Sequence, residues 1–250
     1  MRGIRPLSAS ALLDVWETGQ DQSPVRRALA LLAAACPETR PAQLATLTIG
    51  RRDAGLLTLR ERTFGSRVAG LAICANCGEQ LDVSFEIDEI RVPGPFEEGL
   101  GSPPEIDVQE GDYQLRCRLP TSADLEAVQQ LSGESARAAL LERCLLSVEE
   151  RGEPRAAHAL PPPVVAAIAR ALSEADPRAE VELALACPGC GHAWSAPFDV
   201  VAFFWNEVST WALRTLREVH LLASAYGWSE GEILALSPRR RRTYLELVQA

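Results

Sequence analysis

Leu71-Ala-Ile-Cys74-Ala-Asn-Cys77-Gly78-Glu-Gln-Leu81-Asp-Val83-Ser-Phe85 is echoed more than a hundred residues later by Ala184-Leu-Ala-Cys187-Pro-Gly-Cys190-Gly191-His-Ala-Trp194-Ser-Ala196-Pro-Phe198. Aligned on the cysteines, the glycines coincide, and Leu81, Val83 and Phe85 fall on Trp194, Ala196 and Phe198. Apolar residues alternate after each glycine, which is the period of a half-buried strand. Each copy therefore predicts a β-hairpin whose tight turn carries two thiols, with Gly78 and Gly191 supplying the positive φ the turn needs. Four thiolates from two such turns make the closed tetrahedral cage that zinc prefers, with no position left for substrate. Cys74, Cys77, Cys187 and Cys190 are thus the expected ligands of one structural Zn2+.

A single Cys-x-x-Cys says little; two in matching hairpin contexts say much more. The usual gap between zinc-binding pairs is about 15–20 residues, so this site requires a ribbon interrupted by a large insertion. Two alternatives stay open. A redox dithiol of the thioredoxin kind sits at a helix N-terminus, whereas strand-like sequence follows here. Structural disulfides need an oxidising compartment, which nothing else in the sequence suggests.

Composition bounds the class. At 250 residues and 47% hydrophobic, the chain can bury a substantial core as one large or two modest domains. Seven cysteines is an odd count and too few for a disulfide scaffold. Cys36, Cys117 and Cys144 lie in apolar surroundings and read as small core residues. No apolar run is long enough for a transmembrane helix, and Met1-Arg-Gly-Ile-Arg-Pro6 lacks the apolar core of a signal peptide. A cytoplasmic location is expected. Every basic side chain is Arg and none is Lys, as in products of GC-rich genomes. The net charge of −9 argues against general attraction to nucleic acid. The run Arg239-Arg-Arg-Arg242 is the exception, and it reads best as the solvated first turn of a terminal helix.

The patterning predicts an α+β fold: a helical N-terminal region (1–65), zinc-ribbon-like hairpins (66–200) interrupted by a small α/β insertion (about 105–180), and C-terminal helices (201–250). Helices are expected after Ser8 or Ser10, after Ser23-Pro24 and over Arg51–Arg62 behind Thr48. The first hairpin should span Arg67–Ile87, followed by a Pro/Gly-rich loop from Val92 to Pro104. In the insertion, strands are expected over Glu105–Val108 and Tyr113–Leu119. Helices should follow from Thr121, over Glu134–Leu146 and over Val164–Leu172, with a charged connector at Glu149–Pro154. A strand over Val181–Leu185 then enters the second hairpin. A long helix over Val201–Tyr226 should stop at Gly227. Short helices should open at the capping box Ser229-x-x-Glu232 and at Ser237-Pro238.

No active-site signature is present: no P-loop, no dinucleotide-binding glycine motif, no nucleophile elbow, no zinc-protease helix. His158 is expected to be solvated, His192 to stand beside the second cysteine pair, and His220 to pack or hydrogen-bond on the long helix. An enzyme is not expected.

The segments Phe203-Phe-Trp-Asn-Glu207, Trp211, Arg217-Glu-Val-His220, Ala225-Tyr-Gly-Trp228, Glu232-Ile-Leu234, Ser237-Pro238 and Arg242-x-Tyr244-Leu-Glu-Leu247 resemble the tail of proteins encoded with phage-like contractile tail systems. Together with Leu119-Pro-Thr-Ser-Ala-Asp124 and the two cysteine pairs, they look like the T-even phage baseplate protein family, which includes hub subunits and hub-assembly factors. That resemblance implies a structural or assembly role in a baseplate, with protein partners and no catalytic residues. Trp205, Trp211, Trp228 and Tyr244 are candidate partner-facing anchors, because large aromatics are enriched at binding hot spots. The competing reading is a zinc-ribbon nucleic-acid-binding or regulatory protein that uses Arg239–Arg242 as its contact. Acidity and apolar C-terminal helices favour the first.

Overall fold

The computed structural model describes residues 3–90, 101–156 and 160–249. Four helices come first: α1 (Ala9–Gly19), α2 (Pro24–Ala35), α3 (Pro41–Ala45) and α4 (Ile49–Phe64). Ser8, Ser23 and Thr48 each accept a hydrogen bond from the backbone N–H three residues on, which satisfies a donor the helix itself leaves free. Gly65 ends α4 at φ 95°, and the chain enters the first hairpin, β1 (Arg67–Ile73) and β2 (Gln80–Glu86). A turn of helix, α5 (Ile87–Ile90), closes this part.

The insertion holds β3 (Glu105–Glu110), β4 (Tyr113–Arg118), α6 (Ser122–Val128), α7 (Gly133–Cys144), β5 (Leu145–Glu150), β6 (Glu153–Pro154) and α8 (Pro162–Ala175). Its strands form one antiparallel sheet in the order β3-β4-β5-β6. Helix α8 covers one face, burying Val164, Ala167 and Ile168 against Val108, Leu115, Cys117 and Val148. The second hairpin, β7 (Glu182–Ala186) and β8 (Ala193–Pro197), leads into α9 (Val200–Tyr226), α10 (Glu230–Ala235) and α11 (Pro238–Gln249). Gly227 caps α9 at φ 70°, where a side chain would be strained.

The largest core is built from both ends of the chain. Leu12 and Val15 of α1, Leu31 and Leu32 of α2, and Leu56 and Leu59 of α4 close on Val201, Phe204, Trp205 and Val208 of α9. Val68 of the first hairpin and Ile87 of α5 join them. Arg60, almost wholly buried, makes a bidentate ion pair with Glu207, pinning α4 to α9.

The α+β class and most elements match the expectations; the differences are the end of α7 with β5 and β6, and the short helices α3 and α5. Helix α7 stops at Cys144 rather than Leu146, and β5 takes in the last residues expected in that helix and the first two, Glu149 and Glu150, of the expected charged connector. The cause is tertiary: β4 would otherwise leave a ladder edge beside α8, and Val148 of β5 fills the core there. Arg151 and Gly152, both with positive φ, then make a two-residue turn into β6. The short α3 has too few residues to show a periodicity. Most of the predicted Pro/Gly-rich loop (91–100) and His158 lie outside the described residues.

Candidate metal centre

The two hairpins fold by one plan. In the first, Cys74 N–H donates to the Glu79 carbonyl and Gly78 N–H to the Cys74 carbonyl; in the second, Cys187 N–H donates to His192 and Gly191 N–H to Cys187. These bonds close each Cys-x-x-Cys into a tight loop, with Gly78 at φ 76° and Gly191 at φ 71°. The first cysteine of each pair, Cys74 or Cys187, is buried, while Cys77 and Cys190 are exposed.

The loops meet tip to tip. All four sulfurs lie within 4.8 Å of one another. Cys74 Sγ stands 3.7 Å from Cys190 Sγ, and Cys77 Sγ 3.6 Å from Cys187 Sγ. Those separations are far beyond a disulfide bond. They agree with the edge of a tetrahedron whose centre lies about 2.3 Å from each sulfur, an edge of about 3.8 Å. The geometry and the donor set therefore fit one tetrahedral, thiophilic ion, with short sulfur–sulfur distances that link one hairpin to the other. Four sulfurs would leave no open position, so such an ion would be structural and would offer no site for substrate.

Backbone and side chain tune the sulfurs unequally. The Asn76 amide, reaching across at 3.5 Å, and then the His192 N–H draw the Cys190 thiol down to about 6. The Cys190 N–H favours the Cys187 thiolate, but desolvation and hydrogen bonds shared with Cys77 and Cys190 push that thiol up to about 12. Four crowded thiols compete for few charge-stabilising donors, a conflict that a bound cation removes by replacing the shared protons. Cys187 Sγ also lies 3.4 Å from Glu79 Oε2, and Gly189 leaves room for that carboxylate where a Cβ would collide with it.

The positions aligned in the sequence also meet in space. Leu81 and Trp194 pack against Cys74 and Cys187 just below the cluster. Phe85 and Phe198 meet edge to face, with centroids 5.5 Å apart, at the far end of the hairpins. His192 stacks on Trp194, so only its main chain serves the cluster. His220 is exposed on α9, not packed as expected.

The proposed anchors divide. Trp205 is buried in the main core against Gly19, with the Arg27 guanidinium 4.8 Å from its ring, so it is not a partner-facing side chain. Trp211 is half-buried beside the same core. Trp228 and Tyr244 are half-buried as well, packed with the exposed Tyr226 at centroid distances of 4.6 to 5.7 Å. Sequence reasoning missed Asn76 and Glu79, which matter only because the second loop lies against them. Cys36, Cys117 and Cys144 are buried as expected. No helix among the described residues is long and apolar enough to cross a membrane.

Comparison with curated proteins and with solved structures finds no match. A family model does match, over residues 8–205, a span that holds the N-terminal helices, the insertion and both cysteine hairpins. Apart from Phe203–Trp205, the C-terminal segments that carried most of the resemblance lie beyond it. By that match across most of its length, the chain belongs to the family described as T4 bacteriophage base plate protein.

Proposed function

We propose that this chain is a non-enzymatic component of the baseplate of a phage-like contractile injection system, a hub subunit or hub-assembly factor acting in the cytoplasm where the particle is built. Cys74, Cys77, Cys187 and Cys190 hold one structural Zn2+ that clamps the two hairpins together. The observation that carries this reading is the four-sulfur cluster lying inside the region matched to the baseplate family. Protein partners meet the hairpins and the C-terminal helices, where Trp211, Trp228 and Tyr244 remain within reach of a partner.

The nucleic-acid alternative loses its main support. Arg241 is buried in an ion pair with Glu218 at 2.7 Å, which leaves three exposed arginines, Arg239, Arg240 and Arg242, on a chain of net charge −9. Gene deletion in a strain that makes the apparatus tests the proposal. Assembled particles should disappear and return on complementation with the intact gene. Normal particles from the deletion strain would overturn it.

A further inference from the structure

The two hairpins stand face to face but do not seal. Val83 and Phe85 of β2 and Leu183 and Leu185 of β7 are all only half-buried. They form the apolar floor of a groove of about 830 Å3 that opens along β2 and β7. Among the described residues each of these strands pairs on one side only, β2 with β1 and β7 with β8. The ladder fixes which backbone groups are left over. Cys74 N–H bonds to Glu79 and Ile87 N–H to Ser66, so odd-numbered residues of β2 face β1. Phe198 N–H bonds to Val181 and Cys187 N–H to His192, so odd-numbered residues of β7 face β8. Among the described residues, the N–H and C=O groups of Gln80, Asp82 and Ser84, and of Glu182, Ala184 and Ala186, are therefore left without ladder partners along the groove. Such edges readily accept a further strand.

The rim carries a sign. Glu79, Asp82, Glu89 and Glu182 line the opening, and among the described residues no Arg or His does. We infer that this groove takes an extended segment of a baseplate partner, added as a strand to the free edge of β7, with apolar side chains on the floor and Arg or Lys against the rim carboxylates. Main-chain bonds supply the affinity and the alternating pockets supply the selection. This rests on the baseplate reading above and names the kind of partner for it.

A photo-cross-linking amino acid at Ser84, exposed on the groove's edge, tests it in cells making the whole apparatus. A second strain carries the same probe at Leu247, which is 63% exposed on α11. The Ser84 probe should capture one baseplate protein at a segment that alternates apolar with basic residues. Ala184→Pro removes an N–H that the hairpin ladder does not use. It should keep the zinc content and melting temperature of the parent while reducing the cross-link about tenfold. The paired exposed substitutions Asp82→Arg and Glu182→Arg should do the same without touching the backbone. Capture of a helical or acidic segment, of a second copy of this chain or of the chain itself would overturn the inference, as would a cross-link unchanged in both variants. Capture from Leu247 alone sinks the groove and leaves the baseplate reading standing; capture of no baseplate protein from either probe sinks both.

Discussion

Burial by itself would raise the Asp124 carboxyl, but its neighbours reverse the effect. Arg118 donates two hydrogen bonds, Thr121 donates its hydroxyl and its N–H, and Arg143 adds a further contact. The net result holds Asp124 well below the usual carboxylate range. A carboxyl depressed in the folded state contributes stability that is fully present above its unfolded value near 3.8 and is lost as the pH falls through the folded value. Acid should therefore begin to loosen the joint of α6 with β4 and α7 only below about pH 4. Asp124→Asn keeps the shape but strands the Arg118 charge, and should cost about 3 kcal/mol at pH 7. Urea titrations of both proteins at pH 7 and pH 3 check this: the difference between them should shrink at the lower pH.

Helices α1 and α9 cross so closely that Gly19 lies directly against the Trp205 ring, and a Cβ there would collide with it. Gly19→Ala should therefore cost about 2 kcal/mol by overpacking, and Trp205→Ala about 4 kcal/mol by opening a cavity. Chemical denaturation followed by Trp fluorescence measures the first, and circular dichroism the second. This contact also marks where sequence reading stops. Helical periodicity put Trp205 on α9 but could not say that α1 and α2 cover that face, so the side chain looked free for a partner. Most helices were legible because their signals are local: Ser8, Ser23, Thr48 and Ser229 cap them, and Gly65 and Gly227 end two of them. Strand β5 was not, because Leu145-Leu-Ser-Val148 gains its strand identity from the waiting edge of β4. The cysteine hairpins were legible as a repeat. That Cys74 faces Cys190 and Cys77 faces Cys187 depends on two distant segments meeting, which no local pattern encodes.

Across the whole molecule, the four cysteines join segments that lie on either side of the insertion, and the same α9 that follows the second hairpin closes the main core. A metal at the cluster would cross-link a loop of more than a hundred residues, worth about 5 kcal/mol in restricted unfolded-state freedom. Cys187→Ser should therefore lower the melting temperature sharply and reduce soluble yield, and a strong chelator should bring the parent protein toward the variant. Thermal melts with and without chelator make that comparison.

X-ray absorption at the zinc edge, on purified full-length protein whose metal content has been counted by elemental analysis, tests the clamp most directly. One zinc per chain with four sulfur neighbours at about 2.3 Å is the expected result. Protein that is folded and metal-free, with a melting temperature indifferent to chelator, would contradict it, and so would a zinc shell made mainly of nitrogen or oxygen.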